Sequence, residues 1–204
     1  MTKKIFLFLL FSYLLIAEEL ITQELITRAE KKYGSFAKNR FLYIKDEIID
    51  KLKDKPENIK LNYVNTQINT IKYASDRAVY GQDDYWATPY EFIGKNRGDC
   101  EDYVIAKYYI LKELGVNPKK MKFLYVIYKA RTGERVNHMV LAYLKRPDPR
   151  SRSDYLILDN NNLRVLPASK RKDIVQIVAI INSDTSSKLK KWKQLKSNIQ
   201  RKKL

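Results

Sequence analysis

The 204-residue chain has little of several things, and each scarcity excludes a class of protein. It has one cysteine, which rules out an internal disulfide and any cysteine-rich zinc site. Six glycines are spread so that neither GxxxxGK[ST] nor GxGxxG occurs, and a nucleotide-binding phosphate loop has no basis. One histidine means that any thiol–imidazole chemistry must use a single pair, Cys100 and His138. Acidic residues are the minority, 23 against 40 Lys and Arg, for a formal charge of +17. Hydrophobic residues still make up 45% and aromatics 12%, enough for a packed core.

The ends of the chain differ from its middle. Lys3 and Lys4 precede thirteen mostly apolar residues, Ile5 to Ala17, before Glu18 and Glu19. A basic start, a short apolar run and a small final residue read as a signal peptide over residues 1–17, too short to span a bilayer. An exported protein is expected in the periplasm. An unpaired cysteine there must be buried or functional. At the other end, Lys188–Leu204 holds eight Lys or Arg and no acid. Leu189, Trp192, Leu195 and Ile199 recur there at helical spacing, so residues 184–204 form a basic amphipathic tail. Such a tail either docks its apolar stripe on the body or makes peripheral contact with a membrane or polyanion. No nucleic-acid-binding motif accompanies the charge.

Between these ends the pattern is helical first and strand-like later. Ile44, Ile48, Ile49 and Leu52, then Val64, Ile68, Ile71 and Tyr73, predict helices punctuated by Gly34 and Pro56. Residues 76–98 lose periodicity and read as a long loop. A helix, apolar on nearly every side, is predicted from Asp99 to Gly115, with Asp99 as N-cap and Asp102 completing a capping-box-like start. Strands follow at 121–128, 136–144, 155–158, 163–166 and 174–181, with a hairpin turn at 130–134. The fold class is α+β: N-terminal helices, a central helix and an antiparallel sheet. The expected organisation is helices and loop over 18–97, a core over 98–183 and the tail.

Cys100 falls at the first position of the central helix, where free N–H groups and the helix dipole favour a thiolate. A cysteine alone is more often an inert buried residue, but Gly98, Asp99, Glu101 and Asp102 are not an apolar environment. Gly98 would also let a substrate backbone approach closely. His138 lies in a strand and Asp159 ends the next one. Each has a purely structural reading, as a strand histidine and a turn-capping carboxylate. Together with Cys100 they could supply nucleophile, base and orienting carboxylate. Trp86 is either a core anchor or the wall of a cleft.

Four segments carry a resemblance: Asp84-Tyr-Trp-Ala-Thr-Pro-Tyr-Glu-Phe, Gly98-Asp-Cys-Glu-Asp-Tyr-Val-Ile-Ala-Lys, Asn137-His-Met-Val-Leu and Leu158-Asp-Asn. The chain resembles the bacterial transglutaminase-like cysteine proteinases, and among them the LapG type, periplasmic proteases that release large biofilm adhesins. The resemblance implies a papain/transglutaminase-like core with Cys100, His138 and Asp159 as a catalytic triad. It implies that Asp99, Glu101 and Asp102 contribute to a Ca²⁺ site needed for activity; Asp83 and Asp84 are candidates to complete it. It also implies a large repeat-containing adhesin as substrate and an inner-membrane cyclic-di-GMP receptor as sequestering partner. Acyl transfer to an amine, as in a transglutaminase, and a non-catalytic envelope-binding role on the same fold are the competing functions.

Overall fold

A computed structural model describes residues 19–182 and 190–204; the apolar run read as a signal peptide lies outside the described residues. Among those described, no helix is long and apolar enough to cross a membrane. The first helix, α1 (Gln23–Tyr33), opens where the Thr22 side chain accepts the Leu25 N–H, and buries Leu25, Ile26 and Ala29. Gly34 ends it at φ +86°, a conformation that L side chains rarely adopt. The next helix, α2 (Ser35–Leu42), runs directly into a π-helical stretch, Tyr43–Asp50, that buries Ile44, Ile48 and Ile49. Pro56 caps α3 (Glu57–Ile68), which buries Leu61, Val64 and Ile68.

Two local expectations are corrected here. The periodicity carried the third helix through Ile71 and Tyr73, but α3 stops at Ile68 and Lys72–Tyr73 forms a short strand, β1. Local polar bonds end the helix: Thr70 Oγ1 donates to Gln67 O, and Asn69 Nδ2 donates to the backbone oxygen of Asp159, 90 residues away. The supposed loop over 76–98 contains two short helices, α4 (Asp76–Tyr80) and α5 (Pro89–Lys95). The second starts with a complete capping box between Thr88 and Glu91, a signature present in the sequence. It leads into β2 (Arg97–Gly98), which pairs in parallel with β1.

The central helix, α6 (Cys100–Glu113), is buried from Asp102 to Tyr108 and again at Ile110 and Leu111, as its all-round apolar pattern required. After it come β3 (Met121–Lys129), β4 (Arg135–Leu144), β5 (Tyr155–Asp159), β6 (Asn162–Pro167) and β7 (Ile174–Asn182). They form one antiparallel sheet in the order β6-β5-β4-β3-β7, and all five match the predicted strands closely. Alternation decides which side chain meets which core. Phe123, Met139, Leu141 and Leu158 join the main core with the helices. Leu124, Val126, Val140 and Ala142 join a smaller cluster closed by Ala168 and Ile174. α6 packs across β4, which brings its first turn to the middle of the sheet.

The last helix, α7 (Lys190–Gln200), settles the two readings of the tail's structure: its apolar stripe docks on the body. Trp192 and Leu195 are each 1% exposed. The Trp192 ring stands edge-on to Trp86, Tyr108 and Phe123, with centroids 6.4, 6.2 and 5.1 Å away. Trp86 is therefore a core anchor. Beyond the helix, Thr88 Oγ1 donates to Lys203 O at 2.7 Å and Lys203 Nζ donates to Tyr85 OH at 2.6 Å. The tail straps down the segment that joins α4 to α5.

Candidate active site and metal cluster

His138 and Asp159 meet. His138 Nε2 lies 2.8 Å from Asp159 Oδ1, with His138 6% and Asp159 1% exposed. The antiparallel register places them: Leu141 pairs with Leu158, and Asp159 follows at the end of β5. Asp159 is held on every side. Its N–H donates to Asn65 Oδ1 (3.0 Å), Oδ1 also accepts the Asn161 N–H (2.9 Å), and Oδ2 accepts Arg171 Nη2 at 2.6 Å. Burial alone would raise this carboxyl's pKa, but the hydrogen bonds and charges of His138 and Arg171 outweigh it and hold the group well below the usual carboxylate range.

Cys100 sits at the first position of α6, half-buried, as expected. The backbone N–H of Met139, the residue after His138, is directed at its sulfur. The thiol itself donates to Glu101 Oε2 at 3.1 Å rather than to the imidazole. Burial raises the thiol pKa most, and the charge and hydrogen bond of Glu101 and the charge of Asp99 push it further; only the Met139 N–H opposes them. In this form the sulfur is a thiol.

The acids around it add to the effect of burial, and there are more of them than the sequence suggested. Oxygens of Asp76, Asp84 and Glu101 lie within 4.8 Å of one another, as do those of Asp76, Asp99 and Asp102. Asp76, at the start of α4, belongs to both sets. Of the expected ligands, Asp99 and Asp102 lie in one set and Glu101 in the other, and Asp76, which the sequence reading did not name, joins the two. Of the two loop candidates only Asp84 joins; Asp83 turns to Arg77, whose Nε and Nη2 each donate to it at 2.8 Å.

The Asp99 side chain makes no capping bond to a backbone N–H of α6, so the anticipated cap is absent. Asp102 Oδ1 instead accepts the Ala87 N–H (2.9 Å), and Asp76 Oδ2 accepts the Tyr85 N–H (2.6 Å). Their other oxygens, Asp76 Oδ1 and Asp102 Oδ2, are buried without a partner, as is Asp99 Oδ1. Burial, and then mutual repulsion, pushes Asp76 up to about 6, Asp99 up to about 9 and Asp102 well above its ordinary value. Each of the three carboxylates that converge within 4.8 Å carries a buried oxygen without a donor, and together they fit a divalent cation with oxygen ligands.

Gly98 is explained by this cluster rather than by substrate access. A Cβ there would overlap the Asp102 carboxylate and the Phe92 ring, so glycine lets β2 press against the acids. Sequence reasoning also missed Arg171, Asn65 and Lys107. Lys107, on α6, is 1% exposed and donates to Asn65 Oδ1 at 2.8 Å; burial lowers it to about 7. Its only sequence signal was a lysine inside an otherwise apolar helix.

Comparisons with known proteins identify the family. Legionella pneumophila LapG is 31% identical, with a TM-score of 0.71, over 89% of this chain and 98% of that one. The calcium-bound form of Legionella pneumophila LapG is 30% identical (TM-score 0.69; 89% and 99% covered) and the EGTA-treated form 31% identical (TM-score 0.70; 89% and 98% covered). No curated protein matches the chain. The profile described as bacterial transglutaminase-like cysteine proteinase BTLCP matches residues 43–200, and the chain belongs to that family of cysteine proteinases.

Proposed function

We propose that the chain is a calcium-dependent cysteine endopeptidase of the periplasm, with Cys100, His138 and Asp159 as its triad. Its substrate is the N-terminal region of a large surface adhesin, and an inner-membrane cyclic-di-GMP receptor withholds it by sequestration. The observation that carries the chemistry is the 2.8 Å His138–Asp159 bond, together with the backbone N–H of Met139, the residue after His138, bonded to the Cys100 sulfur. Membership of a cysteine proteinase family and the likeness to LapG support the peptidase chemistry, while substrate, compartment and partner rest on the resemblance carried by the motif segments.

The geometry divides the labour. With Nε2–H donated to Asp159, the Nδ1 lone pair of His138 is the one left to take the thiol proton. The thiolate attacks the scissile carbonyl, the imidazolium returns its proton to the leaving amine, and an acyl thioester forms. Water, deprotonated by the same imidazole, then hydrolyses the thioester and frees Cys100. Asp159, held ionised by its bonds, fixes the tautomer and stabilises the imidazolium. Asp76, Asp84, Asp99, Glu101 and Asp102 would hold the calcium ion. When bound, it neutralises the acids that otherwise keep Cys100 protonated and ties α4, its loop and α6 together. The calcium-bound and EGTA-treated forms of Legionella LapG support this assignment.

The test is cleavage of a purified adhesin N-terminal fragment by wild-type protein, Cys100→Ala and His138→Ala, with and without excess chelator. Both variants should be folded and inactive, and chelated wild type inactive until calcium is restored. Full cleavage by Cys100→Ala ends the reading. Amine incorporation exceeding hydrolysis would favour the transglutaminase alternative.

A further inference from the structure

We propose that Arg171 is a positioning residue for this reaction: clasped from outside by Asp173, it locks the Asp159 carboxylate in the orientation that His138 needs. The inference rests on the triad reading above. Arg171 lies between a 3₁₀ turn (Ala168–Lys170) and β7, far from Cys100 in sequence, with its side chain 1% exposed. Nη2 donates to Asp159 Oδ2 at 2.6 Å and to Asp173 Oδ2 at 2.7 Å; Nε donates to Asp173 Oδ1 at 2.9 Å. Its backbone is pinned as well, with its N–H on Ala168 O and its carbonyl accepting from Ile174 N–H.

A carboxylate orients an imidazole only if it cannot rotate. Asp159 has two oxygens: Oδ1 takes His138 and the Asn161 N–H, which leaves Oδ2 to set the plane. Arg171 is the described side chain bonded to Oδ2. Without it, that oxygen would be a buried acceptor with no donor, an unfavourable state for a charged group. The carboxylate would turn or take up a proton, and either event spoils the bond to His138. The planar fork of arginine suits the task, because it reaches Asp159 and Asp173 at once, where an ammonium is a point charge. Asp173, 32% exposed, carries the second negative charge toward solvent, so Arg171 is balanced without drawing on His138.

A solely structural ion pair is the competing account. Buried pairs contribute little net stability, and apolar replacements are often neutral; what separates the accounts is whether the loss runs through Asp159. The experiment is a kinetic double-mutant cycle with Arg171→Gln, Asp159→Asn and the double variant, each checked for folding by thermal melt. The readouts are kcat and KM on a fluorogenic peptide and, independent of substrate, the rate of Cys100 alkylation by iodoacetamide. Arg171→Gln should lower kcat roughly 10–100-fold, part of the ~10²–10⁴ a general base supplies, with KM within about twofold. Arg171→Lys should recover part of that loss. In the Asp159→Asn background, Arg171→Gln should change kcat and alkylation less than about twofold, because its route is already cut.

A folded Arg171→Gln with wild-type kcat, or losses that multiply in the double variant, overturns the proposal. Should Arg171→Gln fail to fold, Asp173→Asn replaces it in the cycle, with a smaller fall in kcat and alkylation expected at constant KM; no fall overturns the proposal equally. If wild type cuts no peptide, the proposed function fails on its own. The alkylation cycle then decides Arg171 by the same criterion.

Discussion

Trp192→Ala tests how the C-terminal helix is attached, and the structure sets the size of the effect. The indole is 1% exposed and sits among Trp86, Tyr108 and Phe123. Truncating a buried Trp to Ala costs about 3–5 kcal/mol, because the cavity collapses only in part. For a chain of this size each kcal/mol moves Tm by roughly 2–4 °C, so the expected fall is roughly 6–20 °C. Trp192→Phe should be much milder. The indole N–H is buried without a partner, and phenylalanine removes that donor while keeping most of the ring. The effect should also reach the acid cluster. α7 holds the α4–α5 segment through Lys191 on Asp84, and Lys203 holds it through Tyr85 and Thr88. On the proposed reading, Trp192→Ala therefore shows a smaller rise in Tm on adding calcium than wild type does. Equilibrium urea unfolding and thermal melts with and without calcium measure both quantities. A Trp192→Ala stability within about 1 kcal/mol of wild type would refute the argument and make the tail a peripheral attachment.

Other outcomes follow from the electrostatics. In excess chelator the folded state should lose stability as pH rises from about 4 toward 9. Asp76 and Asp99 hold protons to about 6 and about 9 when folded but only to about 3.9 unfolded, so the native state binds more protons over that range; calcium should abolish the slope in pH-dependent melts. Asp159 has the opposite sign: its depressed folded pKa adds stability above the unfolded value of about 3.9 and loses it as pH falls, so an acid-unfolding arm below about pH 4 should shrink in Asp159→Asn. Asp102→Asn should leave the chelated protein at least as stable as wild type and abolish calcium-dependent stabilisation, as read by melts and calorimetric titration. Lys107→Met should change Tm by no more than a few degrees, since a lysine lowered to about 7 by burial gives way to an apolar chain of similar length; a fall above about 10 °C would show that its bond to Asn65 supports Asp159.

The strands were legible because their inward faces alternate cleanly against two different cores, and a period of two leaves little freedom in register. Cys100, His138 and Asp159 were legible for a different reason. With one cysteine and one histidine in the chain, only the carboxylate had to be chosen. Asp76 was not legible. It is one acid in a stretch without periodicity, and its membership of the cluster depends on how α4 folds back against β2, a contact no local spacing encodes. Arg171 was hidden by composition, since among 40 basic residues nothing local distinguishes a buried arginine from an exposed one. The capping box at Thr88 was readable and was obscured by the Gly- and Pro-rich segment around it.

The first turn of α6 explains why the nucleophile and the acids cannot be understood apart. A helix N-terminus favours a thiolate by about 0.3–1 kcal/mol at an exposed site. Two unit charges about 4 Å apart at an effective dielectric of about 20 repel by about 4 kcal/mol. A single ionised neighbour therefore outweighs the helix, and Glu101 is the acid bonded to the Cys100 sulfur. The thiol proton goes to Glu101 for that reason, although the Met139 N–H is already aimed at the sulfur. On the proposed reading, Asp76, Asp84, Asp99, Glu101 and Asp102 would hold an ion whose positive charge would offset this repulsion. The preorganised His138–Asp159–Arg171 chain is then waiting for a thiolate that only the occupied cluster permits. Iodoacetamide should alkylate Cys100 faster with calcium than with chelator at the same pH. Equal rates would mean that the acids do not control the sulfur.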